Sequence, residues 1–252
     1  MQSGGTRRAT VAMAALVSLL TTLSACGNAP PAHYGGRGAG ASGREVAPSS
    51  RPALDRTRIP GVGDRLWRRI PGDSGQVLVV YGEGKDSPYS TAVLFTRYGS
   101  SWQRTQSWPT HNGKRGWTTD HHLGDERSPV GVFTLTAAGG VLDDPGTRLP
   151  YTQSEAFTAP QTWDESHWHD FDYVIAIDYN RVPGSPPDDG AQPEGEAKGG
   201  GIWLHLDHGS GTSACVSFPK SGMEYLLRTL DPGQHPVVLM GDKAELKDQR
   251  LS

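Results

Sequence analysis

Ile202-Trp203-Leu204-His205-Leu206-Asp207-His208-Gly209-Ser210-Gly211-Thr212-Ser213-Ala214-Cys215-Val216-Ser217-Phe218 reads as an apolar strand closing on a histidine, a loop of small residues, and a second strand entered through a cysteine. Helical spacing follows at Ser221–Leu230, where Met223, Leu226, Leu227 and Leu230 share one face ahead of a Pro-Gly stop. Outward from this unit the apolar runs are short, β-branched and punctuated by Gly, Pro, Asp and Asn. Strands are expected at 76–82, 90–98, 101–108, 131–136, 172–180, 201–206, 215–218 and 236–241. The fold expected is therefore mainly β, with one helix after the cysteine strand. The stretch 181–200 is rich in Pro, Gly and acid and reads as a long loop, either a lid or a solvated insertion without stable structure.

Cys215 is one of two cysteines. The other, Cys26, follows an N-terminal segment with Arg7 and Arg8, an apolar run from about Val11 to Leu23, and the tetrapeptide Leu23-Ser24-Ala25-Cys26. That run is too short for a membrane span, which needs about 20 residues, and fits a secretory leader over 1–25. The tetrapeptide has the form of a bacterial lipobox, which makes Cys26 the lipidation site; an ordinary leader with an incidental cysteine is the alternative. Residues 26–57 carry almost no large apolar side chains and are expected to be a lipidated flexible linker, with a root-mean-square span of roughly 30 Å. The domain is expected over 58–252, extracytoplasmic and tethered to the membrane through two acyl chains. Cys215 is then an exported thiol without a disulfide partner, which points to use of the thiol itself.

The formal charge of −3 becomes about −5 without Arg7 and Arg8, and no basic run or aromatic-interleaved basic stripe exists. Nucleic acid is not an expected partner. A cysteine beside an imidazole can ionise and act as a nucleophile, and His205, ten positions earlier, is the candidate base, so an ionised pair is expected. Asp207 lies on the same strand face by the two-residue period and could orient the imidazole. The small residues before the cysteine suit an oxyanion site made by the backbone N–H groups of Ser213, Ala214 and Cys215, with Thr212 in support. His121-His122, His167-Trp168-His169-Asp170 and His205/His208 lack metal-site spacing, and strand alternation sets His205 and His208 on opposite faces, so no metal is expected. No cofactor is implied either. Trp163, Trp168 and Trp203 read as core or groove-lining aromatics.

The run 202–218 resembles the catalytic motif of the YkuD-like L,D-transpeptidase family, a histidine strand followed by Ser/Thr-x-Gly-Cys. Arg127-Ser128-Pro129-Val130-Gly131-Val132-Phe133 resembles that family's Thr/Ser-Pro-x-Gly-x-Phe strand, and the likeness extends over about 76–241. It implies a β-sandwich or barrel of mixed sheets, with Cys215 as nucleophile and His205 as base. The implied partners are peptidoglycan stem peptides: Cys215 would attack the third residue of a tetrapeptide stem, release D-Ala, and pass the acyl group to an amine, forming a 3-3 cross-link, or to water. Two positions depart from the pattern: Ala214 stands where the family usually has Gly, and Ser217 where an Arg often follows. Arg127, Arg148 or Lys220 could replace that Arg at the substrate carboxylate. The rival readings are a papain-like endopeptidase, which places cysteine before histidine, and a non-catalytic wall-binding lipoprotein.

Overall fold

A computed structural model of the protein describes residues 55–249. The expected leader, and the expected linker as far as residue 54 with Cys26, lie outside the described residues. In chain order the elements are α1 (Asp64–Trp67), β1 (Gln76–Gly82), β2 (Tyr89–Tyr98), β3 (Ser101–His111), β4 (Trp117–Thr118), β5 (Ser128–Pro129), β6 (Gly131–Thr134), β7 (Ala138–Gly140) and β8 (Tyr151–Gln153). There follow β9 (Val174–Ala176), β10 (Trp203–Leu206), β11 (Val216–Phe218), α2 (Lys220–Thr229), β12 (Val237–Asp242) and α3 (Lys243–Leu246). Ten strands form one mixed sheet in the order β6-β12-β1-β2-β3-β11-β10-β9-β7-β8, and β4 pairs with β5 apart from it.

The unbroken apolar run of β1 places it deep in the sheet, parallel to β12 and antiparallel to β2. Both of its faces are covered, as a continuous rather than alternating run requires. Leu78 and Val80 enter the larger core; Val77 and Val79 face a smaller one with Ile59, Leu66, Trp102 and Leu246. The larger core also collects Leu204, Leu206, Val216 and Phe218 from the other half of the sheet. Met223, Leu226 and Leu227 of α2 fill the space between, each fully buried and each contributing about 1.5–3 kcal/mol by leaving water. The helix α2 thus shares one core with β1 and with β10 and β11. Gly99, at φ +61, makes the two-residue turn that joins β2 to β3 with Tyr98 opposite Ser101.

Several boundaries differ from expectation. The run 172–180 is a strand only at Val174–Ala176, because Asp178 N–H turns to the Thr134 carbonyl and Asn180 takes φ +44. The loop 181–200 has one short 3-10 turn, Glu196–Lys198, and is pinned at its base. The Asn180 side chain donates to the Gly195 and Gly199 carbonyls and accepts from Glu194 N–H, and the buried Arg181 pairs with Asp178. These bonds give the base of the stretch a defined path, in place of a freely solvated insertion. Arg56, within the expected linker, is tied to β3 through its carbonyl, which accepts from Trp102 N–H. No helix among the described residues is long and apolar enough to cross a membrane.

Candidate active site

β10 and β11 run parallel with His205 opposite Ser217, which brings Cys215, one residue ahead of β11, alongside the start of β10. The loop between the strands is fastened from outside. Thr212 N–H donates to the Asn112 carbonyl at 2.9 Å, and Lys114 N–H to the Thr212 carbonyl at 2.7 Å. The Thr212 hydroxyl donates to the Cys215 carbonyl at 2.6 Å, and the buried Ser128 hydroxyl to the Ala214 carbonyl at 2.6 Å while accepting from Gly113 N–H at 2.9 Å. A cleft of about 480 Å³ results, with His205, Thr212, Ser213 and Cys215 on one side and Trp163 and Phe171 among its other walls. The N–H groups of Ser213, Ala214 and Cys215 donate to no protein acceptor among the described residues. Ala214 lies outside the positive-φ region, so an alanine stands there without backbone strain.

His205 Nδ1 lies 2.8 Å from the Leu206 carbonyl. A carbonyl only accepts, so Nδ1 carries the proton and Nε2 is left as the basic nitrogen. Burial pulls the imidazole down to about 4, against the charge of Asp170 and the Leu206 bond. The Cys215 sulfur accepts from Trp203 N–H at 3.3 Å and faces the Gly201 carbonyl at 3.8 Å. Burial pushes this thiol up to about 11, with the Trp203 N–H opposing and the charge of Asp170 adding. Both shifts favour neutral forms rather than the ionised pair expected, and among the described residues the hydrogen-bond partners of the Cys215 sulfur are Trp203 N–H and the Gly201 carbonyl rather than a His205 nitrogen.

Asp207 does not orient His205. β10 ends at Leu206, so the two-residue period no longer applies, and the Asp207 carboxylate instead meets His111 Nδ1 at 2.7 Å and the Ser217 hydroxyl at 2.6 Å. Burial would raise this carboxyl, but those two hydrogen bonds outweigh it and hold it low. Ser217 is 0% exposed, between the His205 and His111 strands, and leaves no open room for an arginine. Arg127 pairs with Asp86 at 2.7 Å and donates to the Trp117 carbonyl, Arg148 pairs with Asp231, and Lys220 opens α2; none of the three lines the cleft.

The cation that does line it is Lys114, from the connection after β3, with Glu126 at 3.6 Å. Lys114, Ser128 and Asn112 escape local spacing because the chain brings them to Cys215 from about 90 to 100 residues away. The end of the β10 strand also misleads for His208, whose ring lies nearly parallel to that of His205 with centroids 6.1 Å apart rather than on an opposite face. Trp163 is an exposed cleft wall, Trp168 donates to its carbonyl, and Trp203 packs on Phe157 and Phe171. The loop 181–200 contributes no residue to the cleft; Gly201, just after it, does.

No curated protein matches the chain. Among solved structures it is similar to that of Bdellovibrio bacteriovorus Bd1075, at 16% identity and a TM-score of 0.37, over 66% of this chain and 47% of that one. The chain thus spans about half the length of that protein, and so distant a likeness adds nothing to the assignment. The family model of the L,D-transpeptidase catalytic domain matches residues 89–239, more than half of the chain and all of the strands that frame the cleft. With a histidine strand, a cysteine entered from a small-residue loop, and that match, the chain belongs to the YkuD family of L,D-transpeptidase catalytic domains.

Proposed function

We propose that the protein is a peptidoglycan L,D-transpeptidase working through an acyl-enzyme on Cys215. The observation that carries this reading is that Cys215 and His205, whose Nε2 is the basic nitrogen, line one cleft, beside a loop in which the N–H groups of Ser213, Ala214 and Cys215 have no protein acceptor among the described residues. As the sulfur attacks the carbonyl of the third stem residue, His205 Nε2 takes the thiol proton, and the N–H groups of Ser213 to Cys215 receive the charge gathering on oxygen. The bond to D-Ala breaks as His205 returns the proton to the leaving amine, and a thioester remains on Cys215. An amine of a second stem, deprotonated by His205, then attacks the thioester and restores the thiol, giving a 3-3 cross-link. Water in the amine's place gives an L,D-carboxypeptidase.

Lys114 stands in for the missing arginine as the cation that meets a substrate carboxylate, because it is the Lys or Arg side chain lining the cleft. Lipidation at Cys26 would hold the domain outside the membrane and facing the wall; Cys26→Ala should release the protein to the medium or leave it unprocessed, and normal retention of a processed variant would contradict the anchor. The experiment for the activity is product analysis of purified protein with tetrapeptide stems. Dimers that have lost one D-Ala support transpeptidation, and tripeptide alone supports the carboxypeptidase. Intact tetrapeptide with an intact fold supports a non-catalytic wall-binding role.

A further inference from the structure

His167, Asp170 and His208 stand together on the wall of the cleft, outside the chemistry assigned to Cys215 and His205. Their ligand atoms all lie within 4.8 Å of one another. Both imidazoles direct Nδ1 at one oxygen of the same carboxylate: His167 Nδ1 is 2.9 Å and His208 Nδ1 is 3.0 Å from Asp170 Oδ2. Hydrogen bonding accounts for only half of this arrangement. His167 Nδ1 meets Asp170 in hydrogen-bond geometry. The His208 side chain is 4% exposed, yet neither of its ring nitrogens finds a hydrogen-bond partner of good geometry. A buried ring left without a good partner is costly, and two imidazoles gathered at one carboxylate oxygen, with all three ligand atoms this close, have a use beyond packing.

We propose that His167, Asp170 and His208 form a binding site for a divalent transition-metal ion of the zinc class. Two imidazoles and one carboxylate suit zinc, whereas magnesium and calcium take oxygen ligands. A tetrahedral site with bonds of about 2.0–2.1 Å has donor edges of about 3.3 Å, so the present 2.9 and 3.0 Å approaches open by a few tenths of an ångström around an ion. The tether is local at one end, since His167 and Asp170 share one turn of chain, and Leu206 N–H donates to the Asp170 carbonyl, tying that turn to the strand that leads into His208. Three protein donors leave a fourth position for water or for a carboxylate held in the cleft.

The test is titration of the metal-free full-length protein with Zn2+ by calorimetry, with bound zinc counted by elemental analysis after gel filtration. One zinc per chain is expected, retained in Cys215→Ser, with affinity at least tenfold weaker in His167→Gln and in His208→Gln, and no heat with Mg2+. His167 is partly exposed, so His167→Gln should keep its fold, which circular dichroism verifies, even if the buried His208 variant does not. Absence of zinc, unchanged affinity in His167→Gln, or loss of binding in Cys215→Ser overturns the proposal. Because Cys215→Ser is expected to bind zinc while unable to form the acyl-enzyme, failure of this site and failure of the proposed activity are told apart.

Discussion

Varying pH from 6 to 10 during alkylation of Cys215 separates a neutral thiol from a preformed thiolate. With burial holding the thiol at about 11, the thiolate fraction at pH 8 is about 0.1%, against about a quarter for a free cysteine near 8.5, a deficit of roughly two-hundred-fold. His205, pulled down to about 4, offers no imidazolium to rescue it at that pH. The second-order rate with iodoacetamide should therefore climb about tenfold per pH unit between 7 and 10, as the thiolate fraction does well below the pKa. The assay is alkylation followed by intact mass in a Cys26→Ala background, where Cys215 is the remaining thiol. Near-ultraviolet dichroism of the seven tryptophans confirms the fold at each pH. A rate that is already flat between pH 6 and 8 would refute the neutral pair and restore a thiolate–imidazolium one.

The same burial of His205 gives stability an acid limb. Because its folded value lies below the unfolded one, the unfolded chain binds more protons between about pH 4 and 6.5, so stability is fully present above about 6.5 and declines by about 3 kcal/mol as pH falls to 4. The wild-type minus His205→Gln difference in urea unfolding should carry this slope, and equal slopes would contradict it. Ser128→Ala strands the Ala214 carbonyl and Gly113 N–H, which should cost about 1–3 kcal/mol and slow acylation; an unchanged melting temperature would show that the loop holds itself. Lys114→Gln should raise KM for the stem peptide several-fold with little change in kcat, and a loss confined to kcat would remove Lys114 from carboxylate binding.

The strands with strong local pattern are visible in the sequence. Gln76–Gly82 is a continuous apolar run and α2 has a clear apolar stripe, and both are found within a residue or two of where the pattern places them. Strands of two or three residues, such as Trp117–Thr118 with Ser128–Pro129, are too short to carry a period and exist only because the chain pairs them. At the site, the histidine strand and the cysteine entry are local and readable. Two-residue alternation stops at Leu206, where the strand ends, so it does not predict the surroundings of Asp207 and His208. The partner of Asp207 is His111, 96 residues earlier, and spacing along the chain holds no trace of such a contact.

The most direct test of the account is the mass of the intact protein trapped during turnover of a tetrapeptide stem or after exposure to a carbapenem. The account predicts one covalent acyl adduct, mapped by peptide fragmentation to Cys215, absent in Cys215→Ala and formed about 10² or more times slower in His205→Ala. D-Ala release that persists in Cys215→Ala, or an unmodified wild-type protein with its fold intact, would contradict it.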